Sequence, residues 1–144
     1  MKIYLVTFAE GDIFEKSQKK LDSTLNIANI DFHIKWNLDK IKETSFYQKN
    51  KKLLDIELGY GYWAWKPYII LKQLKKINEN DVLIYMDASR YETDGFKNSC
   101  LEVVDFINKN NIELLPGFET NYKNYQMIKK SCLKFFDLDN EKFK

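Results

Sequence analysis

The sequence is short of the residues on which metal sites most often depend. It has one histidine, His33, and two cysteines, Cys100 and Cys132, in 144 residues. The cysteines are far apart and have neither CxxC spacing nor a histidine cluster, which excludes the usual structural zinc sites. Two free thiols are typical of a protein kept in a reducing cytoplasm.

The common nucleotide and nucleophile motifs are also absent from the sequence. The five glycines form neither GxGxxG nor GxxxxGK[ST], and no GxSxG occurs. Dinucleotide-binding, P-loop and hydrolase functions therefore have no motif behind them. His33 has no serine beside it in a recognisable triad, and we expect it to be a solvated surface residue.

The charge of the chain is nearly balanced. It has 23 basic residues, of which Arg90 is the only arginine, and 21 acidic residues, for a net charge of +2. A dedicated nucleic-acid-binding protein would show a clear basic excess, so no nucleic-acid partner is expected. The small positive net charge allows weak attraction to an acidic membrane surface. No apolar run is long enough to cross a bilayer.

The composition is that of a globular domain rich in aromatic residues. Hydrophobic residues make up 44% and aromatic residues 15% of the chain. The aromatic excess fits a surface that grips ligands, or a compositional bias towards Phe, Tyr, Ile, Asn and Lys. The length suits one domain, residues 1–144, with its own core.

The apolar pattern predicts alternating strands and helices. Residues 2–9 and 82–86 are continuous apolar runs, which are typical of strands in a parallel sheet, and we expect the second to be a central strand. Residues 30–36 alternate, with His33 on the polar face. The remaining predictions are a helix at 13–27 capped by Asp12, a short helix and mobile loop at 39–54, helices at 67–77, 98–110 and 125–136, and a strand at 112–118. The first helix is expected to face the core with Phe14 and Leu21, and the helix at 67–77 with Ile69 and Leu74. The apolar anchors of the segment 39–54 are Phe46-Tyr47 and Leu53-Leu54.

The segment from Gly59 to Pro67 places one lysine among four aromatic residues. Gly59 and Gly61, on either side of Tyr60, predict that the backbone packs closely against another part of the chain. Pro67 suits the first turn of a helix. Lys66 beside the positive end of that helix would form an anion site. The alternative is a lysine whose stem packs on Trp63 or Trp65 with its ammonium group in water.

Asp87 ends the strand at 82–86, and its carboxylate is a candidate ligand. Open α/β sheets bind ligands at the carboxyl ends of their strands. An Asp there can hold Mg²⁺ or Mn²⁺, because these hard cations take oxygen ligands and bridge to phosphate. The alternative is an Asp that caps a turn.

These residues carry a resemblance to a known family. The motif G-Y-x-x-W-K-P-x-x-I at residues 61–70, followed by V-L-I-Y-M-D-A-S at 82–89, resembles bacterial glycosyltransferase-like proteins of surface-polysaccharide loci. The resemblance implies a Rossmann-like, GT-A-type, mostly parallel sheet flanked by helices, in a cytoplasmic protein that contacts the inner membrane peripherally. It also implies a longer chain, so we expect this one to lack the acceptor-binding part.

The resemblance further implies roles for individual residues. Asp87 matches the first acid of a DxD-type metal and diphosphate motif, but Ser89 stands where the second acid would be, which puts the metal in doubt. Lys66, Ser89 and Arg90 would contact the diphosphate or sugar, and Glu119 is the candidate base. The expected base and ribose contacts are Thr7 and Phe8, and the expected aromatic ligand contacts are Tyr62 and Trp65.

Three functions follow from these observations. The first is a glycosyltransferase that moves a sugar from a nucleoside diphosphate to a polysaccharide or lipid-linked acceptor. The second is a non-catalytic module that binds a nucleotide sugar or carbohydrate. The third is a purely structural role, in which the tryptophans are core residues and Asp87 caps a turn. The sequence does not indicate an oligomeric state.

Overall fold

A computed structural model describes residues 1–23, 25, 29–88 and 93–110, with side chains excluded for 93–101. All of these residues lie in one compact unit, Met1–Asn111. The strand predicted at 112–118, the helix predicted at 125–136 and Glu119 lie outside the described residues. The single domain over residues 1–144 therefore stays a prediction.

Three parallel strands form the sheet. They are β1 (Ile3–Phe8), β2 (Phe32–Trp36) and β3 (Val82–Asp87), in the order β2-β1-β3. Phe8 is level with Trp36 on one side and with Asp87 on the other. The predicted α/β class is confirmed. Among the described strands β1 lies between the other two; the strand predicted at 112–118 is outside the described residues, so the central position of 82–86 stays a prediction.

Helices occupy most of the remaining described chain. The first, α1, ends at Asp22, earlier than the predicted Ile27, and Gly11 rather than Asp12 is its N-cap. In place of the predicted short helix and mobile loop at 39–54 there are three short helices, which carry the buried residues Ile41, Tyr47 and Leu54. The helices are α1 (Asp12–Asp22), α2 (Leu38–Lys42), α3 (Ser45–Lys49), α4 (Lys51–Leu54), α5 (Gly59–Tyr62), α6 (Trp65–Leu74) and α7 (Thr93–Asn110).

The helices cover both faces of the sheet. Leu21 of α1 and Val104 of α7 pack with Ile3 and Leu5 on one face. Residues of α2, α3, α4 and α6 pack on the other face, against Val6, Phe8 and Trp36. The crossovers from β1 to β2 and from β2 to β3 run in opposite directions across the sheet and use opposite faces. They therefore have the same hand, as parallel connections normally do.

Two predicted helix faces are rotated in the structure. On α1 the buried residues are Gln18 and Leu21, whereas Phe14, predicted to face the core, is 44% exposed. On α6, which begins two residues before Pro67, Trp65, Ile69 and Gln73 are buried and the predicted core residue Leu74 is exposed. Packing against the sheet determines which face of each helix is buried. A short apolar pattern in the sequence predicts that face only to within about one residue.

None of the helices in the described part of the chain has the length and apolar character needed to span a membrane.

Candidate functional site at the carboxyl ends of β1 and β3

The strand order creates a crevice between β1 and β3. From β1 the chain crosses to β2 on one side, and it then returns past β1 to β3 on the other. In open α/β sheets, ligands bind at the carboxyl ends of strands where the order reverses in this way. At this point Glu10 follows β1, and Asp87 ends β3 level with Phe8.

A lysine, an aspartate and a tyrosine meet at the end of β3. The ammonium group of Lys66 lies 2.8 Å from Oδ1 and 3.0 Å from Oδ2 of Asp87. The hydroxyl of Tyr85 donates to Oδ1 of Asp87 at 2.6 Å. Tyr85 and Asp87 are two residues apart on one strand and so point to the same face, towards α6, which carries Lys66. The first turn of α6 thus delivers a cation to the strand end.

Burial and hydrogen bonding act in opposite directions on the pKa of Asp87. Partial burial raises the pKa of this carboxyl, but the hydrogen bonds from Lys66 and Tyr85 lower it by more in sum, so it lies below the usual value. Burial raises the pKa of Tyr85, and hydrogen bonding to Asp87 raises it further. At neutral pH the carboxylate of Asp87 is therefore ionised and the phenol of Tyr85 is protonated.

The same trio of residue types occurs elsewhere in the fold. Lys51, Asp55 and Tyr47 also hydrogen-bond to one another, and Lys51 lies 2.6 Å from Asp55 across one helical turn. This second trio lies on α3, on α4 and at the end of α4, and none of its members belongs to a strand. A Lys-Asp-Tyr cluster by itself is therefore no sign of function, and the position at the crevice distinguishes the trio of Asp87.

The segment 59–63 has a left-handed backbone. Its five consecutive residues have positive φ, from 52° at Tyr60 to 85° at Gly61. The amides of Tyr62 and Trp63 donate to the carbonyl groups four residues before them, as in a helical turn. An L-residue in this conformation costs about 1–2 kcal/mol, so Tyr60, Tyr62 and Trp63 together store about 3–6 kcal/mol. Strain of this size persists only where the surroundings enforce it.

Close packing enforces the left-handed segment. A Cβ at Gly61 would lie 2.7 Å from the carbonyl oxygen of Leu53 and 2.8 Å from Cα of Leu54, both backbone atoms. A Cβ at Gly59 would meet the ring of Trp63 at 2.6 Å. The indole N–H of Trp65 donates to the carbonyl oxygen of Gly59 at 3.1 Å. The predicted tight approach at the two glycines is therefore present.

The left-handed segment borders a small cleft beside Asp87. The cleft has a volume of about 100 Å³ and is open to solvent. Its base includes Phe8 and Trp65, which are almost fully buried and stack on each other with ring centres 3.8 Å apart. The lining residues are Phe8, Glu10, Phe14, Tyr60, Trp63, Trp65, Asp87 and Ala88.

The cleft gathers some of the residues expected to contact ligand. Phe8, Trp65 and Asp87 line it, and Lys66 reaches it through its ion pair with Asp87. Tyr62 is 57% exposed but is not part of the lining. Ser89, Arg90 and Glu119 lie outside the described residues.

Thr7 is held in the core and forms part of a polar network that the sequence did not reveal. Its hydroxyl lies 2.8 Å from Nε2 of His33 and accepts a hydrogen bond from Gln18 at 2.8 Å. Nδ1 of His33 lies 2.8 Å from Asp22. Thr7 is 0% exposed, so no atom of it meets a ligand at the surface, contrary to the predicted base and ribose contact.

The expectation that His33 is solvated was wrong. Its side chain is only 2% exposed, because α1 covers this face of β2 and offers Asp22 as a partner. Burial lowers the pKa of His33, a tendency that the hydrogen bond to Asp22 opposes in part. The Thr-His-Asp order looks like that of a nucleophile, base and acid, but the buried hydroxyl of Thr7 cannot reach a substrate. The network is structural. In the sheet His33 is level with the core residue Leu5, and this register, which the sequence does not show, places the histidine under α1.

A second and larger cavity, of about 400 Å³, lies between α2, α3 and α6. Lys72 lies over the ring of Trp36, whose indole N–H is buried without a hydrogen-bond partner among the described residues. This cavity contains none of the residues expected to contact ligand. Its lining residues are Trp36, Lys40, Glu43, Thr44, Ser45, Tyr68 and Lys72.

The described residues offer few ligands for a metal. They contain no group of three or more His, Cys, Asp or Glu side chains suited to hold one. In the cleft the two carboxylates are those of Asp87 and Glu10, and Glu10 accepts a hydrogen bond from the amide of Leu38 at 2.8 Å. Mg²⁺ with one or two carboxylates takes its remaining ligands from phosphate and water. The cleft therefore fits a metal that arrives with a phosphate ligand better than one held by protein alone.

Comparisons of the chain with models of known families, with curated proteins and with solved structures gave no match.

Proposed function

We propose that the crevice at β1 and β3 binds the diphosphate of a nucleoside diphosphate sugar, and that the chain transfers this sugar to a polysaccharide or lipid-linked acceptor. The fold would then be a GT-A-type, Rossmann-like domain. The observation that carries the proposal is the position of Lys66 and Asp87 at the point where the strand order reverses. Support also comes from the resemblance of residues 61–70 and 82–89 to glycosyltransferase-like proteins.

Lys66 has the position and charge to receive the diphosphate. Its side chain is 29% exposed, and in the ligand-free chain its charge is balanced by Asp87. A diphosphate carries more negative charge than one carboxylate, so it can compete for the ammonium group. In sugar transfer, negative charge develops on the leaving diphosphate, and a fixed cation at that point lowers the barrier.

Asp87 would act by holding position and charge. Its carboxylate is 54% exposed and stays ionised at neutral pH, with Tyr85 fixing its orientation. A Mg²⁺ or Mn²⁺ ion bound with the donor would supply electrostatic stabilisation of the leaving group. Asp87 is its candidate protein ligand, and Glu10 is the other carboxylate in the cleft. The proposal also includes three residues outside the described part of the chain. Ser89 and Arg90 would contact the diphosphate or sugar, and Glu119 is the candidate base.

A thermal-shift titration with nucleoside diphosphate sugars, with and without Mn²⁺, tests the proposal. A ligand that binds only the folded chain adds about 2.7 kcal/mol of stability at a hundred times its Kd, which raises the melting temperature by several degrees. We expect such a shift with one nucleotide class. Because contacts with charged groups contribute about 1.5–3 kcal/mol, Lys66→Met should weaken binding about ten- to hundredfold.

The trio on α3 and α4 provides a matched control. Lys51→Met and Asp55→Asn remove the same charges as Lys66→Met and Asp87→Asn, from a similar exposed cluster. We expect the control variants to keep the ligand-induced shift and the crevice variants to lose most of it. Equal responses in both sets, or no shift with any nucleotide sugar in the unmodified chain, would refute the proposal.

One observation favours the second candidate, a binding module without turnover. Both carboxylates of the cleft are already engaged, Asp87 by Lys66 and Tyr85, and Glu10 by the amide of Leu38. Among the cleft residues that the structure describes, these hydrogen bonds fix both carboxylates in binding roles, and neither is assigned as the base that takes a proton from an acceptor hydroxyl. Binding of the donor without release of free nucleoside diphosphate would support the module, and steady release would support the transferase.

A further inference from the structure

Two aromatic residues of the cleft differ from the others in exposure. Trp63 is 49% exposed and Phe14 is 44% exposed, whereas Phe8 and Trp65 below them are buried. Both exposed residues line the cleft that contains Asp87. The cleft thus has a closed aromatic base and two open aromatic side chains, and the open ones present the free surface.

The backbone of the left-handed segment explains why Trp63 is there. The segment begins at Gly59, where a Cβ would lie 2.6 Å from the ring of Trp63, so a side chain there would displace the ring. Trp63 is itself left-handed, with φ of 59°, although tryptophan has no preference for this conformation. The close packing of Gly61 and the hydrogen bond of Trp65 to Gly59 fix this backbone, and as a result a half-exposed Trp63 ring is held at the edge of the cleft.

The size of the cleft limits what these rings can hold. Pockets that bury a whole drug-sized ligand measure about 300–1,000 Å³, and this cleft measures about 100 Å³. It therefore receives one ring-sized group of a larger molecule. With the diphosphate at Lys66 and Asp87, the nearest such groups of a nucleotide sugar are the sugar ring and the nucleoside on either side.

We infer that Trp63 and Phe14 hold the pyranose ring of the donor, as a specificity contact of the proposed transferase site. The inference rests on the proposed function. A pyranose presents C–H groups on one face, which an aromatic ring can cover, and hydroxyl groups at its rim. The carboxylate of Glu10, in the same cleft, supplies a hydrogen-bond acceptor for a rim hydroxyl. Two exposed aromatic rings and a carboxylate in one cleft suit a ligand ring that has both an apolar face and hydroxyl groups, as a sugar does, better than a ring that is apolar throughout.

The experiment compares free nucleoside diphosphates with their sugar conjugates. Isothermal titration of the full chain uses UDP against UDP-glucose and GDP against GDP-mannose, in Trp63→Asn, Trp63→Phe and Phe14→Ala. Asparagine suits positive φ and removes the ring, phenylalanine keeps a ring, and alanine suits helix α1. Phe14→Ala leaves the left-handed segment untouched, so it keeps the test decisive if Trp63→Asn does not fold.

We expect Trp63→Asn and Phe14→Ala to lose about five- to tenfold in affinity for the sugar conjugate, with less than about twofold change for the free diphosphate. Trp63→Phe should restore most of the loss. Equal losses for the free diphosphate would overturn the inference, because the rings would then contact the nucleoside. Unchanged sugar preference in both ring-deleting variants would overturn it as well, while leaving the proposed function intact. Absence of any nucleotide binding in the unmodified chain would refute the two together.

Discussion

Replacing Gly61 with alanine tests the close approach that enforces the left-handed segment. Gly61 has φ of 85° and ψ of 44°, where an L-residue costs about 1–2 kcal/mol. The lower entropy of the unfolded chain returns about 0.4–1 kcal/mol of this cost. The new Cβ would lie 2.7–2.8 Å from backbone atoms of Leu53 and Leu54, which can move only if α4 moves. Overpacking of this kind adds about 1–3 kcal/mol.

The expected total for Gly61→Ala is a loss of about 2–4 kcal/mol in the free energy of unfolding. Urea denaturation followed by circular dichroism measures this loss as a lower midpoint with an unchanged slope. A loss of this size is a large fraction of the stability of a typical domain, about 5–15 kcal/mol. The variant should therefore be purified and measured at low temperature.

Gly11→Ala is the matched control for backbone strain. Gly11 has the same φ of 85°, with ψ of 156°, a region that only glycine normally occupies. A Cβ there would meet nothing within 4 Å. The strain at Gly11 is thus no smaller than at Gly61, and any excess cost of Gly61→Ala comes from contact. If Gly61→Ala costs less than about 1 kcal/mol, which strain alone would explain, the close approach to α4 is wrong, and so is our account of the strained segment.

Two further predictions concern buried side chains. Because burial lowers the pKa of His33, the unfolded chain takes up a proton on this residue at a higher pH than the folded chain does, so stability should fall as the pH is lowered through about 6.5. His33 is the only histidine, and His33→Gln should remove this slope from the urea midpoints; a slope that persists in the variant would contradict the buried network. Trp65→Ala should cost about 3–5 kcal/mol in urea denaturation, since Trp65 is 3% exposed and stacks on Phe8; a loss below about 1 kcal/mol would show that the ring is not part of the core.

The elements that could be predicted from sequence are those with a strong local pattern. The continuous apolar runs around Leu5 and Ile84 gave two strands of the parallel sheet, and the end of the second correctly positioned Asp87. Periodicity was less useful for helix faces: α1 and α6 each bury a polar residue, Gln18 and Gln73, that a pattern of apolar residues cannot select. The anchors in α2–α4 were found in part, but one short helix was predicted where there are three, because each helix is only four or five residues long.

Part of the candidate site could also be predicted. Lys66 and Asp87 were each chosen for their position beside a helix start or strand end, and the structure joins them at 2.8 Å. Trp63 and Phe14 were not predicted as ligand contacts, since their role depends on which aromatic residues remain exposed. For Thr7 the position at a strand end was right and the accessibility was wrong, because α1 covers it with Gln18.

The sequence by itself determined the α/β class, the strand that ends in Asp87 and the clustering of aromatic residues around Lys66. These features follow from residue type and spacing, which act within a few positions along the chain. Only the tertiary structure decided that His33 is buried, that Lys66 reaches Asp87 across 21 residues, and that segment 59–63 is left-handed. Each of these depends on the free energy of contacts between distant parts of the chain, which outweighs the local preference of histidine for water and of tyrosine and tryptophan for negative φ.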